Sequence, residues 1–482
     1  MPIKSNFSDE ARVVLGNISS RAGSLFSPTL RLGVTGLSRS GKSVFITAFI
    51  HNLINGGRLP LFEPHANQRI SRAYLEPQPD DNVPRFAYED HVKRLVEERA
   101  WPDGTKCVSQ VRLTIEYESA RRWPPLPGGN KLHIDIVDYP GEWLLDLPLL
   151  GKTFTQFSAD ALNHAMVSDR ADIAARYLTI ADDIDPDDPA DENQVRELSD
   201  AYKAYLEACR ADNFALSTLP PGRFLMPGDL AGSPALTFAP LKHVASRTKS
   251  GSMQAIMKRR YEAYKDIVVR PFFREHITRL DRQIVLIDAM QAINAGADAL
   301  RDLEDALAEV LACFRPGAGN LLTSLWQRRI DRILLAATKA DHVHHDNHER
   351  MEQLVEMLAE NAKHRAGRLG ASVKSIAMSA VRATREGVID DKGEQLPVII
   401  GVPVKGEKMG KTTFDGESET AIFPGDLPDD LSSLFQQSSS GSQRFVKMRP
   451  PKLERDASDK ALSLPHIRLD KALQYLIGDR LA

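Results

Sequence analysis

Apolar residues near the start of the chain change from a strand-like run to a helical pattern across one short loop. Residues 30–36, LRLGVTG, form a short β-rich run of the kind that makes a buried strand. Beyond the loop, apolar residues occupy the positions that a buried helix needs, and the pattern ends at Gly56. These helical positions are Val44, Ile46, Ala48, Ile50, Leu53 and Ile54. The pattern predicts a strand, a glycine-containing loop and a helix, in that order.

Two more strand patterns follow, separated by a turn rich in proline and glycine. Residues 109–119, SQVRLTIEYES, alternate like an edge strand or an amphipathic strand. Residues 131–138, KLHIDIVD, alternate until they reach Asp138, and the intervening RWPPLPGGN predicts the turn. We assign no strand to residues 58–107, which are rich in proline and charge.

Later patterns separate a helical part of the chain from one in which strands and helices alternate. Helical spacing dominates residues 151–280, which predicts a helical insertion. Strand and helix patterns then alternate from the apolar run at residues 281–290 to the strand pattern at residues 372–380. This alternation predicts an α/β fold with a doubly wound, mostly parallel sheet and ligands at the carboxyl ends of its strands. After Thr384 the apolar runs become short, which predicts a small β-rich insertion.

These patterns divide the chain into segments. They are an N-terminal amphipathic helix (1–27), the first part of the main domain (28–150), the helical insertion (151–280), the second part of the main domain (281–384), a β-rich insertion with a mobile loop (385–465) and a C-terminal helix of the main domain (466–482). The N-terminal helix has two interpretations. It packs on the protein, which its sparse Lys and Arg content favours, or it lies on a membrane surface.

Composition narrows the classes of protein that fit. The 482 residues are 42% hydrophobic and 26% charged, as in ordinary globular proteins with a large core. Basic and acidic residues nearly balance, at 62 and 65, so charge gives no support for nucleic-acid binding. The cysteines match no metal or disulfide spacing, no apolar stretch is long enough to span a membrane, and the N-terminus lacks a signal-peptide pattern. We therefore expect a cytoplasmic protein without a transmembrane segment.

The loop between the first strand and helix, GLSRSGKS at residues 36–43, fits the phosphate-binding pattern G-x-x-x-x-G-K-[ST]. Its glycines allow backbone N–H groups to converge at the positive end of the helix, which favours phosphate. We expect Lys42 to reach the β- and γ-phosphates and the Ser43 hydroxyl to bind Mg²⁺. The alternative is a helix-capped turn that happens to carry a lysine. The expected phosphate-binding residues are Ser38, Arg39, Ser40, Gly41, Lys42, Ser43 and Val44.

The strand that ends at Asp138 leads into DYPG, which fits the pattern D-x-x-G. The same pattern occurs at Asp229 and Asp390, but only Asp138 ends a predicted buried strand downstream of the phosphate loop. A carboxylate at this position can hold a Mg²⁺-bound water, and the Gly141 N–H can face the γ-phosphate. The motif therefore predicts the metal side of a nucleotide site.

The buried strand pattern DRILLAATKAD ends at Asp341. A carboxylate there matches the adjacent N1–H and NH₂ donors of guanine, whereas adenine presents an acceptor at the same position. The Lys339 stem would lie over the base. One helix and one strand later, the backbone at Ala380 and Val381 could meet the guanine carbonyl oxygen. The pattern predicts GTP and GDP, rather than an adenine nucleotide, as ligands.

The histidine-rich string DHVHHDNH, residues 341–348, has two interpretations. In one, His344 and His348 bind a metal together with Asp346. In the other, which we favour, His342 lines the base pocket and the remaining histidines lie at a solvated helix start.

In order, GLSRSGKS, DYPG, TKAD and the SA at residues 379–380 resemble the signature motifs of Ras-like GTPases. The longer strings VTGLSRSGKS, WPDGT, DYPGEW and ATKADHV resemble the YcjX family of bacterial GTP-binding proteins, which is associated with stress responses. The resemblance covers most of the chain. It implies a P-loop Ras-like domain, binding of GTP and GDP, dependence on Mg²⁺ and slow GTP hydrolysis. It also implies a protein effector, which is unidentified. If that effector is a membrane-associated stress protein, we expect the chain to bind at the inner membrane as a peripheral protein.

The resemblance assigns further roles to single residues. Thr105 occupies a switch position that meets Mg²⁺ and the γ-phosphate, and Trp101 would close over the nucleotide; the alternatives are a loop threonine and a buried anchor. Arg39 either touches the phosphates or points to solvent. Thr338 stands where an Asn is usual, and Glu142 stands where Ras-like enzymes place a water-orienting Gln, although a carboxylate cannot donate a hydrogen bond. The implied catalytic residues are Lys42, Thr105, Asp138, Gly141 and Glu142, and the implied metal ligands are Ser43, Thr105 and Asp138.

Three functions fit these observations. We favour a GTPase that acts as a molecular switch. The alternatives are a scaffold or adaptor that holds guanine nucleotide with negligible turnover, and an ATPase or phosphotransferase that uses the same phosphate loop.

Overall fold

The structure is a computed structural model that describes most of the chain. The described residues are 28–36, 40–105, 107–120, 130–211, 215–216, 219–245, 247–314, 330–367, 371–391, 393–436, 445–453 and 463–482. The predicted N-terminal helix at residues 1–27 and the serine-rich part of the predicted mobile loop, residues 437–444, lie outside these residues.

A seven-stranded sheet forms the centre of the main domain. Its strands are β1 (Thr29–Gly36), β2 (Ile70–Glu76), β3 (Ser109–Tyr117), β4 (Asn130–Asp138), β5 (Arg282–Ile287), β6 (Arg332–Ala337) and β7 (Ser372–Ala377). Across the sheet they follow the order β2–β3–β4–β1–β5–β6–β7. Pairing is parallel from β4 through β1 to β7, and it is antiparallel where β3 joins β2 and β4. The predicted α/β fold with a mostly parallel sheet is confirmed.

Both faces of the central strands are buried because helices cover each face of the sheet. In β5, Ile284 and Leu286 belong to one apolar cluster. Val285 and Ile287, which point the opposite way, belong to the other. This two-sided burial explains why the sequence of β5 is a continuous apolar run rather than an alternating one.

Helices connect the strands and fill a long section between β4 and β5. The first helices are α1 (Lys42–Ile54), α2 (Glu63–Ala66) and α3 (Tyr88–Val96). A 3₁₀ helix (Gly141–Gly151) follows β4. The section from residue 154 to residue 275, here called the helical section, contains α4 (Phe154–Ala165), α5 (Ser168–Asp182), α6 (Glu192–Cys209), α7 (Gly222–Leu225), α8 (Met253–Tyr264), a π-helical turn (Lys265–Val269) and α9 (Arg270–Glu275). The later helices are α10 (Ala289–Ala295), α11 (Ala297–Cys313), α12 (His348–Gly367) and α13 (Leu469–Ile477).

Shorter elements complete the fold. Single 3₁₀ turns lie at Gly228–Leu230, Pro234–Leu236, Ile277–Arg279, Ala340–His342, His345–Asn347, Leu431–Phe435 and Gly478–Leu481. None of the helices in the described part of the chain combines the length and the apolar character that crossing a membrane requires.

Two small antiparallel sheets follow the main sheet in the chain, as the predicted β-rich insertion requires. The strands are β8 (Arg385–Asp391), β9 (Glu394–Gly401), β10 (Lys408–Met409), β11 (Thr412–Thr413) and β12 (Thr420–Ile422). The larger sheet has the order β12–β9–β8, and β10 pairs with β11. Pro403 forms an isolated bridge to Met448, which brings the end of this region back to its beginning.

The sequence interpretation missed β2. This strand pairs antiparallel with β3, so β3 is an internal strand, and of the two interpretations of its alternation the edge strand is wrong. Within β2 only Ala73 is fully buried. Because an edge strand with so few buried side chains has almost no apolar alternation, no pattern marked it in the sequence.

Candidate functional site

Gly36 and Gly41, at the two ends of the loop between β1 and α1, occupy positions that suit glycine, as a phosphate loop requires. Gly41 has φ +86°, a left-handed conformation that side-chain-bearing residues rarely adopt, and it caps α1. A Cβ on Gly36 would lie 2.7 Å from the backbone oxygen of Leu286, so this position also requires glycine. The predicted phosphate-binding residues Ser38 and Arg39 lie outside the described residues.

Lys42 is the basic residue at the centre of this loop. It is only 9% exposed, and its Nζ donates a hydrogen bond to the Gly36 carbonyl oxygen at 3.1 Å. The hydroxyls of Thr35 and Ser40 are buried and have no hydrogen-bond partner among the described residues. Buried hydroxyls without partners cost free energy, so these two hydroxyls, beside and within the loop, are candidates to hydrogen-bond a bound anion.

Asp138 ends β4 beside Val34 of β1, next to the phosphate loop. Its Oδ2 accepts a hydrogen bond from the Thr105 hydroxyl at 2.8 Å, and its Oδ1 is buried without a partner in the described part of the chain. The Ser43 hydroxyl donates to the Asp103 carbonyl oxygen at 3.3 Å. The short segment from Asp103 to Thr105 therefore links Ser43 to Asp138, the residues predicted as metal ligands.

This group of oxygens fits a hard divalent cation. Burial raises the pKa of the Asp138 carboxyl to about 6, and the Lys42 ammonium and the Thr105 hydroxyl oppose that rise. A buried carboxylate with one unpartnered oxygen gains most from a bound cation. Carboxylate and hydroxyl oxygens are ligands that suit Mg²⁺, which Ser43, Thr105 and Asp138 would hold here.

The TKAD loop follows β6 at the same edge of the sheet. Lys339 has φ 60°, and its ammonium pairs with the carboxylate of Asp288 at the end of β5. Thr338 ties β6 to β5, because its N–H and its hydroxyl both donate to the Ile287 carbonyl oxygen, at 2.9 and 3.2 Å. Thr338 thus braces the loop at the position where Asn is usual.

Asp341 is fixed by the segment that follows β7. It is 3% exposed, and its Oδ2 accepts a hydrogen bond from the Ala383 N–H at 2.8 Å. The Ala340 N–H donates to the Met378 carbonyl oxygen at 3.2 Å, which joins the two loops directly. Among the described residues, the N–H of Ala380 has no hydrogen-bond partner, so it is available to a ligand carbonyl.

The histidines after Asp341 lie in different environments. The His348 Nε2–H donates a hydrogen bond to the Ala340 carbonyl oxygen at 2.8 Å, so this buried histidine braces the TKAD loop and is not part of a solvated helix start. His342 is half-buried, and burial lowers its pKa. The ligand atoms of His344, His345 and Asp346 lie within 4.8 Å of one another, so His345 rather than His348 joins the cluster considered for a metal.

Two predicted residues make contacts that the motifs did not indicate. The Trp101 Nε1–H donates to the Met448 carbonyl oxygen at 2.6 Å, which anchors the segment before Thr105 to the region after the small sheets. Glu142 is 6% exposed and pairs with Arg210 of the helical section, with 2.9 Å between Oε1 and Nη2. Sequence reasoning missed Arg210, because no local pattern marks a partner that far along the chain.

The 3₁₀ helix after Gly141 packs into the helical section. Arg223 lies over the Trp143 ring, with 3.3 Å between the guanidinium carbon and the ring centroid. Asp146 accepts hydrogen bonds from the Gly222 N–H at 2.7 Å and from the Tyr264 hydroxyl at 2.5 Å. The segment that follows the D-x-x-G motif is therefore held by the helical section along its length.

Asp146 should make the stability of the protein depend on pH. Burial raises the pKa of this carboxyl from 3.8 to about 7, so the folded state favours the protonated form. Its contribution to stability is complete below the ordinary pKa and is lost as pH rises through about 7. We expect the free energy of unfolding to fall between about pH 4 and about pH 7 more steeply for wild type than for Asp146→Asn, measured by urea denaturation. Equal slopes would show that ionisation of Asp146 carries no penalty.

The strand ends bring most of the predicted residues to one edge of the sheet. One group lies at the ends of β1 and β4, and the other at the ends of β6 and β7. The first group contains Ser40, Gly41, Lys42, Ser43, Val44, Thr105, Asp138, Gly141 and Glu142, and the second contains Lys339, Asp341, His342, Ala380 and Val381. A phosphate loop, a D-x-x-G aspartate and a TKAD loop on one mostly parallel sheet define the Ras-like class of P-loop folds.

Comparison with known proteins agrees with this class. A family model described as "YcjX-like family, DUF463" matches residues 30–481, so the chain belongs to the YcjX-like family. A protein of Escherichia coli strain K12 named "Ras-like GTPase YcjX" is 37% identical over 467 residues, which cover 94% of this chain and 96% of that protein. A protein of Shewanella oneidensis strain MR-1 with the same name is 31% identical, over 97% of this chain and 99% of that protein. The family resemblance of the sequence motifs is confirmed.

Proposed function

We propose that this protein is a guanine-nucleotide switch that hydrolyses GTP to GDP and phosphate with the help of Mg²⁺. The observation that carries the proposal is the arrangement of two buried side chains at one sheet edge: Lys42 at the start of α1 and Asp341 after β6. The first suits a phosphate chain and the second suits the two donors of guanine. The names of the two relatives, both called Ras-like GTPases, support the same reading.

Different residues of the site would bind the phosphates and the base. The N–H groups at the start of α1 and the Lys42 ammonium would bind the β- and γ-phosphates. Bound Mg²⁺ would neutralise charge on the phosphate oxygens. Asp341, already oriented by Ala383, would accept from guanine, and the free N–H of Ala380 would donate to its carbonyl oxygen.

The helical section provides a route by which hydrolysis could be sensed. The D-x-x-G loop leads directly into the 3₁₀ helix (Gly141–Gly151), which the helical section holds through Trp143 and Asp146. A D-x-x-G loop that becomes ordered around the γ-phosphate and relaxes after the γ-phosphate is released would therefore change the position of the helical section. The protein effector and the stress response that the resemblance implies stay predictions.

A scaffold that binds guanine nucleotide without turnover is the second candidate. It is favoured by Glu142, since this carboxylate stands where Ras-like enzymes place an amide that both accepts and donates hydrogen bonds. Binding would then be retained while hydrolysis is negligible.

A multiple-turnover phosphate-release assay separates the two candidates. We expect wild type to release phosphate from GTP only with Mg²⁺. Asp138→Asn should lose this activity and should bind GTP more weakly with little change for GDP, since Asp138 would serve the metal beside the γ-phosphate. The matched control is Asp390→Asn, which makes the same change at the exposed aspartate of another D-x-x-G string, in β8.

Three outcomes would contradict the proposal. If wild type releases no phosphate above the buffer rate, only the scaffold remains. If ATP displaces labelled GDP as well as GTP does, the guanine assignment is wrong. If Asp138→Asn and Asp390→Asn behave alike, Asp138 does not serve the metal.

A further inference from the structure

The contact between Glu142 and Arg210 joins the D-x-x-G segment to the helical section by a charged pair. Arg210 directly follows the last residue of α6. Its Nη2 lies 2.9 Å from Glu142 Oε1. Glu142 itself directly follows Gly141 of the D-x-x-G motif, whose Asp138 ends β4 beside β1.

Only one oxygen of the Glu142 carboxylate is satisfied. The side chain is more than nine-tenths buried, and Oε2 has no hydrogen-bond partner among the described residues. Leaving a buried carboxylate oxygen unpaired costs free energy, so such an atom needs an explanation beyond packing. An oxygen held in place and lacking a donor is suited to accept one from a bound molecule.

The helical section fixes the backbone of Glu142 as well as its side chain. Gly222 packs against it so closely that a Cβ on Gly222 would lie 2.2 Å from the Glu142 carbonyl oxygen. With the backbone held by Gly222 and Oε1 held by Arg210, the direction of Oε2 is set by the helical section. Positioning of this kind is what a general base requires.

We infer that Arg210 is a positioning residue for GTP hydrolysis, an inference that rests on the proposed function. Arg210 holds Glu142 so that Oε2 accepts a proton from the attacking water. The water oxygen bonds to the γ-phosphorus, the bond from that phosphorus to the β–γ bridging oxygen breaks, and its electron pair leaves with GDP. The proton on Glu142 then passes to the phosphate product or to solvent, which restores the carboxylate. Glu142 needs no donor of its own, because it acts as an acceptor only.

Turnover under saturating GTP and Mg²⁺ tests the inference in four variants. Glu142→Gln keeps the shape of the side chain but removes the base, and we expect its kcat to fall on the order of 100-fold with unchanged GDP affinity. Arg210→Ala should lose kcat to a similar degree with little change in KM. Arg210→Lys, which keeps one donor and the charge, should recover part of that loss. The double variant Arg210→Ala/Glu142→Gln should be no slower than Glu142→Gln alone.

Arg196→Ala is the matched control, because Arg196 lies on α6, the helix that Arg210 follows, and has an exposed side chain. It should keep wild-type kcat. Losses that multiply in the double variant would mean that Arg210 acts apart from Glu142, and wild-type kcat in Glu142→Gln would mean that Glu142 is no base. Either result overturns the inference while the proposed function stands. If wild type itself shows no Mg²⁺-dependent turnover, both fail. Unfolding curves identify a variant that fails to fold. If Arg210→Ala does not fold, the kcat values of Arg210→Lys and Glu142→Gln test the inference.

Discussion

Tight GDP binding is expected to be lost in the Lys42→Ala variant. Lys42 is buried at the centre of the phosphate loop, and its Nζ is 3.1 Å from the Gly36 carbonyl oxygen. That weak neutral partner can be exchanged for phosphate oxygens when nucleotide binds. A charge-assisted hydrogen bond to a buried charged group contributes about 3 kcal/mol, so its loss should weaken binding on the order of 100-fold.

Isothermal titration with GDP measures this effect directly. The matched control is Lys131→Ala, because Lys131 lies on β4 with an exposed ammonium paired to Glu116, away from the phosphate loop. We expect the control to bind GDP like wild type. Unchanged GDP affinity in Lys42→Ala would rule out the phosphate-loop assignment, provided that unfolding curves show the variant to be folded.

The second large effect is a change of base preference in Asp341→Asn. The carboxylate of Asp341 offers two acceptors, which match the N1–H and NH₂ donors of guanine. The variant has one carbonyl and one NH₂ group. Because the Ala383 N–H already donates to Oδ2 at 2.8 Å, we expect the new carbonyl to keep that hydrogen bond and the new NH₂ to face the base.

That orientation reverses the preference for the base. The new NH₂ meets the NH₂ of guanine, a donor against a donor, and the cost should be about 3 kcal/mol or on the order of 100-fold in GDP affinity. Xanthine carries a carbonyl oxygen at the same ring position and gives the new NH₂ an acceptor. Xanthosine diphosphate should therefore bind the variant more tightly than it binds wild type.

A competition titration of the diphosphates of guanosine and xanthosine against both proteins measures the change. Asp346→Asn serves as the control, since Asp346 is exposed beyond the same loop. If guanosine and xanthosine diphosphates bind the variant as they bind wild type, Asp341 does not read the base. The chain would then be a phosphate-loop protein of unassigned base preference.

The sequence by itself determined the class of fold and the family. Continuous apolar runs followed by helical spacing predict a parallel sheet, and the carboxyl ends of parallel strands lie at one edge. For this reason Gly36, Asp138 and Asp341 could be expected at a common edge although they lie far apart in the chain, and the register of β1, β4, β5 and β6 agrees with that arrangement. The motifs GLSRSGKS, DYPG and TKAD then identified the family, which the family model confirms.

Only the tertiary structure decided which side chains support these motifs. β2 stayed hidden because apolar alternation reports burial on one face, and β2 buries a single residue fully. The bracing of the TKAD loop by Thr338 and His348 depends on carbonyl groups of neighbouring strand ends, which no periodicity encodes. The pairing of Glu142 with Arg210 depends on how the helical section folds back over the 3₁₀ helix. Local patterns report the backbone and the burial of each segment, whereas such contacts arise only when distant segments pack together.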